Sequence, residues 1–144
     1  MAAEENKAVV RRYIEAAVNR GDFTVLDEVM DPNYANPTSA VRSAPGGAER
    51  YKQAVTQTRT AFPDIEVQFS YMICEGDLVA YHSVWRGTHL GPFRGVAPTG
   101  KRVEWQATCY RRVIDGQVVE GWGTYDWLSL LEQLGASVTP PGTS

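Results

Sequence analysis

The first half of the chain carries apolar residues at helical spacing. It predicts a helix that ends at Gly21, a short second helix capped by Asp22 and ended by Pro32, and a third helix over about residues 48–61 that Pro63 closes. The apolar stripes comprise Val10, Tyr13, Ile14, Ala17 and Val18 in the first helix, Phe23, Leu26, Val29 and Met30 in the second, and Tyr51, Ala54, Val55, Thr58 and Phe62 in the third.

Two segments between these elements are rich in turn formers. Asp31 to Pro37 predicts an irregular stretch that holds Tyr34 and Asn36, and Pro45-Gly46-Gly47 interrupts the chain again before the third helix. These segments connect helices and carry no periodic pattern of their own.

After Pro63 the apolar period changes from 3.6 to 2, which predicts strands. Ile65, Val67 and Phe69 alternate with polar residues. Further strands are predicted over 78–86, 101–113 and 117–124, followed by a helical turn over 127–134. Hairpin turns are predicted at Glu75-Gly76-Asp77 and at Asp115-Gly116, and a Gly- and Pro-rich loop over 87–100.

Helices followed by an antiparallel meander indicate an α+β fold rather than a βαβ fold. A strongly curved antiparallel sheet wrapped over the helices leaves a cavity, which in such folds is lined by apolar and aromatic side chains. The length of 144 residues suits one domain, predicted over 1–138, and the tail 139–144 is expected to be disordered.

Composition excludes several classes of function. A net charge of −3 with only Arg11-Arg12 and Arg111-Arg112 as notable basic doublets argues against a nucleic-acid surface, and both doublets are expected to be solvated. The sequence shows no membrane-spanning run and no signal peptide, so a cytoplasmic location is the expectation. Cys74 and Cys109 are expected to be reduced thiols.

Seven short pieces of the chain, in order over about residues 6–135, resemble the SnoaL-like polyketide cyclase family. This family belongs to the folds related to nuclear transport factor 2, so the resemblance implies an NTF2-like cone. The pieces are Asn6-Lys7-x-x-Val10-Arg11-Arg12, Asp31-Pro32-x-Tyr34-x-Asn36-Pro37, Ala61-Phe62-Pro63-Asp64, Arg86-Gly87-Thr88-His89-x-Gly91, Pro98-Thr99-Gly100-x-Arg102, Arg112-Val113-Ile114-Asp115-Gly116 and Leu130-Leu131-x-Gln133-Leu134-Gly135.

The resemblance also implies a homodimer or higher oligomer, a fused-ring aromatic polyketide as substrate, and no metal or organic cofactor. Cyclases of the family close a ring by intramolecular aldol chemistry with an acidic residue in the last strand and a histidine or acid in the strand before it. Other members, to which this chain is more similar in these positions, are associated with hydroxylation of anthracycline-type rings.

The chain departs from the cyclase pattern at these polar positions. Aligned on Asp115-Gly116 and Leu134-Gly135, the acid falls on Gly123, the nearby histidine on Gly121 and the polar residue of the preceding strand on Cys109. A glycine has no side chain with which to move a proton, whereas a positioned base contributes about 10²–10⁴-fold to such a reaction.

Strand alternation suggests which residues bind the substrate. Trp105 shares one strand face with Ala107 and Cys109, while Gly121 and Gly123 share a face of the next strand. If that face lines the pocket, the small residues leave room for a flat ring against the Trp105 indole. The alternative is that Trp105 is a core or dimer-face residue. Tyr34 is a further candidate for substrate binding, or simply packs.

Three residues are candidates for catalysis. His82 is the best titratable group, although a structural histidine fits equally. Asn36 could hydrogen-bond a quinone or phenol oxygen, or form a turn, and Asp126 could be a base or a helix N-cap. His89, in the Gly-Thr-His turn, is expected to fix the loop.

These observations favour cofactor-independent hydroxylation, in which an electron-rich substrate reacts with molecular oxygen in a dry pocket and a separate reductase can supply the reduced substrate. The alternative is an aldol cyclase that uses Asp126 or His82. A third interpretation is a non-catalytic small-molecule binding protein, since one fold hosts many functions.

Overall fold

The computed structural model describes residues 2–37, 47–137 and 139–142. It contains four α-helices, a π-helical segment and five strands in these residues. The order is α1 (Ala2–Ile14), the π-helical segment (Glu15–Asn19), α2 (Thr24–Val29), β1 (Met30–Ala35), α3 (Gly47–Ala61), β2 (Glu66–Glu75), β3 (Leu78–Thr88), β4 (Arg102–Ile114), β5 (Gln117–Tyr125) and α4 (Trp127–Gln133).

The predicted architecture is confirmed: helices pack on one curved sheet in an α+β fold. The strand order is β1-β5-β4-β3-β2, and β2 to β5 form the antiparallel meander that the sequence predicted. The long central pair β3 and β4 aligns Trp85 with Trp105, and the β4–β5 pair aligns Cys109 with Gly123 and Arg111 with Gly121.

The prediction of an irregular stretch after Asp31 was wrong in part. Residues Met30–Ala35 form β1, which pairs in parallel with β5 and makes the sheet mixed. Pro32 is tolerated because β1 is an edge strand, where one row of backbone groups needs no partner. The pairing also takes Met30 out of α2, which ends at Val29, and places Tyr34 in a strand.

The concave face of the sheet and the helices enclose one hydrophobic core. Val10, Tyr13 and Ile14 of α1 pack into it, as do Leu26 of α2 and Phe62 after α3. On β3 and β4 every second residue is buried, which is the period expected of a half-buried strand. The sheet therefore has a buried inner face and an outer face that is only partly covered.

A bulge in β2 reverses which side chains point inward. Its register with β3 shifts between Phe69 and Tyr71. Phe69 packs on Tyr81 of the inner face, whereas Tyr71 and Ile73 beyond the bulge are exposed on the outer face. Bulges of this kind increase the local twist and bend a strand, which helps the sheet to curl around the helices.

No helix among the described residues is long and apolar enough to cross a membrane. Cys74 and Cys109 are free thiols, as predicted, with Cys109 buried. Pro45 and Gly46 of the predicted turn lie outside the described residues, as do residues 138, 143 and 144 at the end of the chain, so the expected disorder of 139–144 stays a prediction.

Candidate active site

A cavity of about 160 Å³ lies between α3 and the concave face of the sheet. Three elements contribute to its walls besides α3: the π-helical segment, the inner face of the sheet and the start of α4. Its lining residues are Val18, Tyr51, Ala54, Val55, Thr58, Trp85, Trp105, Tyr125 and Trp127. The hollow predicted inside the cone is therefore present, and it is lined mainly by apolar and aromatic groups.

Four aromatic rings form a continuous wall of this cavity. Trp85 stacks on Trp105 with ring centroids 6.0 Å apart and planes 19° apart, and Tyr125 stacks on Trp127 at 4.9 Å and 13°. Trp85 meets Tyr125 edge to face at 5.8 Å, which joins the two pairs. Such π-faces favour offset stacking or edge contacts with a further flat ring.

A wider outer hollow of about 410 Å³ shares Ala54, Thr58 and Trp127 with this cavity. Its rim includes Phe93 and Arg94 from the loop after β3, and the Arg94 guanidinium carbon lies 4.5 Å from the centroid of the Trp127 ring. The aromatic wall thus continues outward to a cation at the entrance. Together the two hollows could accept a substrate larger than the inner cavity alone.

At the inner end of the site, a buried arginine is surrounded by tyrosines. Arg111 of β4 is 4% exposed, which corrects the expectation that its doublet is solvated. Its Nε donates to the Tyr13 hydroxyl at 2.6 Å, and its guanidinium carbon lies 5.9 Å from the Tyr51 ring centroid and 5.6 Å from that of Tyr81. Its neighbour Arg112, on the outer face, pairs instead with Asp77 and Glu120.

Burial sets the acidity of the tyrosines around Arg111. Loss of hydration raises the pKa of Tyr13, Tyr34, Tyr51 and Tyr81 above the usual value, because it disfavours the charged phenolate, and the positive charge of Arg111 opposes this rise. Burial acts to lower the pKa of Arg111, but that pKa lies well above its usual range because, at the high pH where the tyrosines ionise, their phenolates would hold the guanidinium proton. The cluster therefore combines neutral phenols with one fixed positive charge.

The room expected beside Gly121 and Gly123 is not open. A methyl group on Gly121 would collide with the Tyr34 hydroxyl and lie 2.7 Å from Cδ of Arg111, and one on Gly123 would collide with Cys109. Gly121, Gly123, Cys109 and Tyr34 do not line the cavity. Because Gly121 has no side chain, the side chains of Tyr34 and Arg111 occupy the space where the resemblance implies a histidine.

Trp105 lies where alternation places it, on the inner face with Ala107 and Cys109, and it lines the cavity. Its indole also packs on Phe62 at 5.0 Å, so it belongs to the core as well. Asn36 follows directly after β1, two residues from Tyr34, and is half-buried. A role for Asn36 in binding stays a prediction.

The structure does not bring His82 to the cavity. His82 pairs with Thr108 on the outer face of the sheet, and its Nδ1 lies 3.3 Å from the Thr108 hydroxyl. Asp126 is the N-cap of α4, where its side chain accepts a hydrogen bond from the Ser129 backbone N–H at 3.0 Å. Neither residue lines the cavity.

His89 fixes the loop after β3, as expected. Its backbone bonds to Gly100 and Lys101, and its Nδ1 accepts a hydrogen bond from the Thr99 backbone N–H at 3.1 Å. The ring is fully buried against Phe62, at a centroid distance of 5.5 Å. His89 therefore anchors the loop that carries Phe93 and Arg94 to the rim of the outer hollow.

Sequence reasoning missed the residues that dominate the site. Arg111 has the same strand parity as Trp105 and Cys109, so extending that alternation by two residues places it on the inner face. The stripe of α3 contains Tyr51, Ala54, Val55 and Thr58, all of which line the cavity, although its spacing predicted only a helix. No sequence signal ties Tyr125 and Trp127 together, because their stacking depends on the turn into α4.

A cone of helices on a curved sheet, with an aromatic cavity inside it, defines a small-molecule pocket domain. The family model for SnoaL-like polyketide cyclases matches residues 7–134, and the chain belongs to this family.

The chain is similar to two methyl ester cyclases of Streptomyces. It is 28% identical over 122 residues to the nogalonic acid methyl ester cyclase of Streptomyces nogalater, covering 83% of this chain and 90% of that one. It is 30% identical over 139 residues to the aklanonic acid methyl ester cyclase DnrD of Streptomyces peucetius, covering 93% and 94%. Both relatives are named as methyl ester cyclases.

Solved structures share the fold. AclR of Streptomyces galilaeus, named as a candidate hydroxylase, superposes with a TM-score of 0.77 at 29% identity, covering 96% of this chain and 86% of that one. A SnoaL-like protein from Jannaschia, named as a candidate polyketide cyclase, gives 0.80 at 26% identity, covering 94% and 95%. The two neighbours carry different activities in their names.

The tyrosine cluster predicts a loss of stability at alkaline pH. An unfolded tyrosine has a pKa of about 10, and the folded values of Tyr13, Tyr34, Tyr51 and Tyr81 are raised. Below about pH 10 both states keep these protons and the contribution is constant; above it the unfolded state loses protons that the folded state retains. The free energy of unfolding should therefore fall, by up to about 1.4 kcal/mol per pH unit for each tyrosine.

Urea denaturation between about pH 8 and about pH 11 measures this fall. Tyr13→Phe should make the decline shallower than in the parent. Tyr71→Phe, which removes a hydroxyl on the outer face away from Arg111, is the matched control. A free energy of unfolding that stays constant, or rises, above about pH 10 would contradict the assignment of buried, protonated tyrosines.

Proposed function

We propose that this protein closes a ring of an aromatic polyketide by intramolecular aldol addition. The observation that carries the proposal is the aromatic wall formed by Trp85, Trp105, Tyr125 and Trp127, because it can hold a flat ring system while an attached side chain folds back on it. The similarity to the two methyl ester cyclases supports the reaction class.

In the proposed reaction, a substrate carbon next to a carbonyl loses a proton and attacks a ketone carbon in the same molecule. One carbon–carbon bond forms, the ketone oxygen takes up a proton, and the product has the same mass as the substrate. The protein orients the side chain and excludes water. The carbonyl groups of such a substrate already make the neighbouring C–H acidic, so the substrate itself supplies much of the activation for proton loss.

Hydroxylation is the second candidate function. It is favoured by the lining itself, because the residues that surround the cavity include no carboxylate and no imidazole in the described part of the chain. The similarity to AclR points the same way. In this reaction one atom of molecular oxygen enters the ring and the other becomes water, with electrons from the reduced substrate or a separate reductase. Simple binding without turnover is the third candidate.

A single incubation separates the three candidates. Aklanonic acid methyl ester and nogalonic acid methyl ester are each incubated with the protein and a chemical reductant under heavy oxygen gas and, in parallel, without oxygen, and the products are analysed by mass spectrometry. Ring closure predicts a product of unchanged mass that also forms without oxygen. A product that gains one labelled oxygen and requires the gas would instead establish hydroxylation, and tight binding with no product would establish a carrier.

Matched variants of α3 connect the reaction to the cavity. Ala54→Trp places an indole in the wall shared by the two hollows, and we expect a loss of about 100-fold in kcat/KM because the substrate is displaced. Gln53→Trp adds the same side chain one position earlier, outside both linings, and should keep the parent rate. Equal activity of the two variants would show that the substrate binds elsewhere.

We also propose that the protein forms a homodimer through the outer face of the sheet. Tyr71 is 73% exposed and Ile73 is 69% exposed on this face, beside Tyr110 and Trp122, whose rings stack at 5.2 Å. Large exposed apolar side chains grouped on one face are typical of interfaces. The family resemblance implies the same assembly.

Sedimentation velocity tests the dimer. The parent protein is expected to sediment as a dimer, and Ile73→Glu as a monomer, because a charge would be buried without a partner in the interface. Leu90→Glu changes another exposed apolar residue, at the opposite end of β3, and should stay dimeric. A monomeric parent, or a dimer that Ile73→Glu leaves intact, rules out this interface.

A further inference from the structure

The positive charge of Arg111 has no carboxylate partner among the described residues. Every ion pair found there involves another basic residue, and the groups that face the guanidinium are uncharged. These groups are the phenols of Tyr13 from α1, Tyr34 from β1, Tyr51 from α3 and Tyr81 from β3. The inner end of the site therefore holds one buried, uncompensated cation.

The hydrogen bonds of this guanidinium are incomplete. Nε donates to Tyr13 at 2.6 Å, and Nη1 donates to the backbone carbonyls of Tyr110 and Trp122 at 2.8 and 3.4 Å. Nη2 donates none of these three hydrogen bonds, and the Tyr51 hydroxyl is a further hydrogen-bond partner of the guanidinium. A guanidinium has five N–H donors, so capacity remains for a further acceptor.

The groups around Arg111 compensate its buried charge only in part. Removing an ion from water is unfavourable even after relaxation, and neutral phenols and ring faces offset only part of that cost. A negatively charged oxygen nearby would offset more of it, because charges interact strongly where water is excluded. The surroundings of Arg111 therefore favour an anion over a neutral group.

Tyr51 connects this cluster to the cavity. Its side chain lines the cavity, and its ring centroid lies 5.9 Å from the Arg111 guanidinium carbon. Tyr125 also lines the cavity, and the positive charge of Arg111 acts on it as well. Tyr51 and Tyr125 therefore belong both to the cavity lining and to the surroundings of Arg111, whereas Arg111 itself does not line the cavity.

We propose that this end of the cavity is an oxyanion site, in which Tyr51 and Tyr125 face the substrate oxygen that becomes negatively charged and Arg111 supplies the compensating charge. The ligand class is an aromatic compound with an ionisable oxygen, bound as its enolate or phenolate. This inference rests on the proposed function. It serves ring closure and hydroxylation equally, since both pass through an electron-rich oxyanion.

The chain departs here from the family pattern that the resemblance implies. Where a carboxylate would stand, Gly123 lies beside Cys109, and where a histidine would stand, Gly121 gives its space to Tyr34 and Arg111. Neither position therefore supplies a carboxylate that could pair with the guanidinium. The substitution by glycine keeps the charge available for a substrate anion.

A dye that changes colour on ionisation tests the site without requiring turnover. Alizarin, a hydroxylated anthraquinone, is bound to the full-length protein, and its apparent pKa is read from its absorbance as pH is varied. In the parent we expect the pKa of the bound dye to lie at least about one unit below that of the free dye, because a nearby cation favours the phenolate. Burial without a cation would raise it.

Three variants identify the source of this shift. Arg111→Met should move the dye pKa above the free value, Arg111→Lys should retain part of the lowering, and Tyr51→Phe should reduce it. Tyr71→Phe, which removes a hydroxyl from the outer face, is the matched control and should bind and ionise the dye as the parent does. If Arg111→Met fails to fold by circular dichroism, the lysine and phenylalanine variants still decide.

Three results overturn the proposal: a dye pKa in the parent equal to or above that of the free dye, the same lowering after Arg111 is replaced, or no binding of the dye. The outcome is independent of the turnover experiment. A lowered dye pKa without ring closure would support the oxyanion site and contradict the cyclase proposal. Ring closure without a lowered dye pKa would support the cyclase proposal and contradict the oxyanion site.

Discussion

A single buried guanidinium links the helices of this protein to its sheet. Arg111 projects from the inner face of β4, and tyrosines from α1, β1, α3 and β3 converge on it. A buried charge is stable only where polar groups surround it, so each of these elements must lie where its phenol reaches the arginine. The inner end of the cone is consequently defined by one charge and its hydrogen-bonding neighbours rather than by apolar packing alone.

The aromatic wall of the cavity depends on ring stacking. Trp85 and Trp105 face each other across the β3–β4 pair, and Tyr125 and Trp127 extend the wall into α4. This arrangement separates two tasks. The stacked rings can hold a planar substrate by its faces, while the phenols that back onto Arg111 meet its oxygen atoms at the edge. The proposed site therefore both orients the substrate ring and stabilises the charge on its oxygen.

The sequence predicted the fold more completely than the site. Helical and strand periodicity, Asp115-Gly116 and the prolines placed α1 to α4 and β2 to β5 within a few residues, because these signals are local. β1 was missed because its pairing with β5 is long-range, and a turn-rich segment gives no local sign of it.

The errors at the site have the same origin. Alternation put Trp105 on the correct face, but the glycines were interpreted as open space, and the structure fills that of Gly121 with side chains from β1 and β4. His82 was favoured for its chemistry alone, while strand parity places it on the outer face. Arg111 was assigned to solvent because charged residues are rarely buried, and only the convergence of distant tyrosines makes this one an exception.

The most direct test of this account is a crystal structure with a hydroxylated anthraquinone bound. We expect the ring system to lie against Trp85 and Trp105, with an ionisable oxygen within hydrogen-bonding distance of Tyr51 or Tyr125, on the side nearest Arg111. A ligand whose oxygens all point to the entrance at Arg94, with only carbon atoms against Tyr51 and Tyr125, would contradict it.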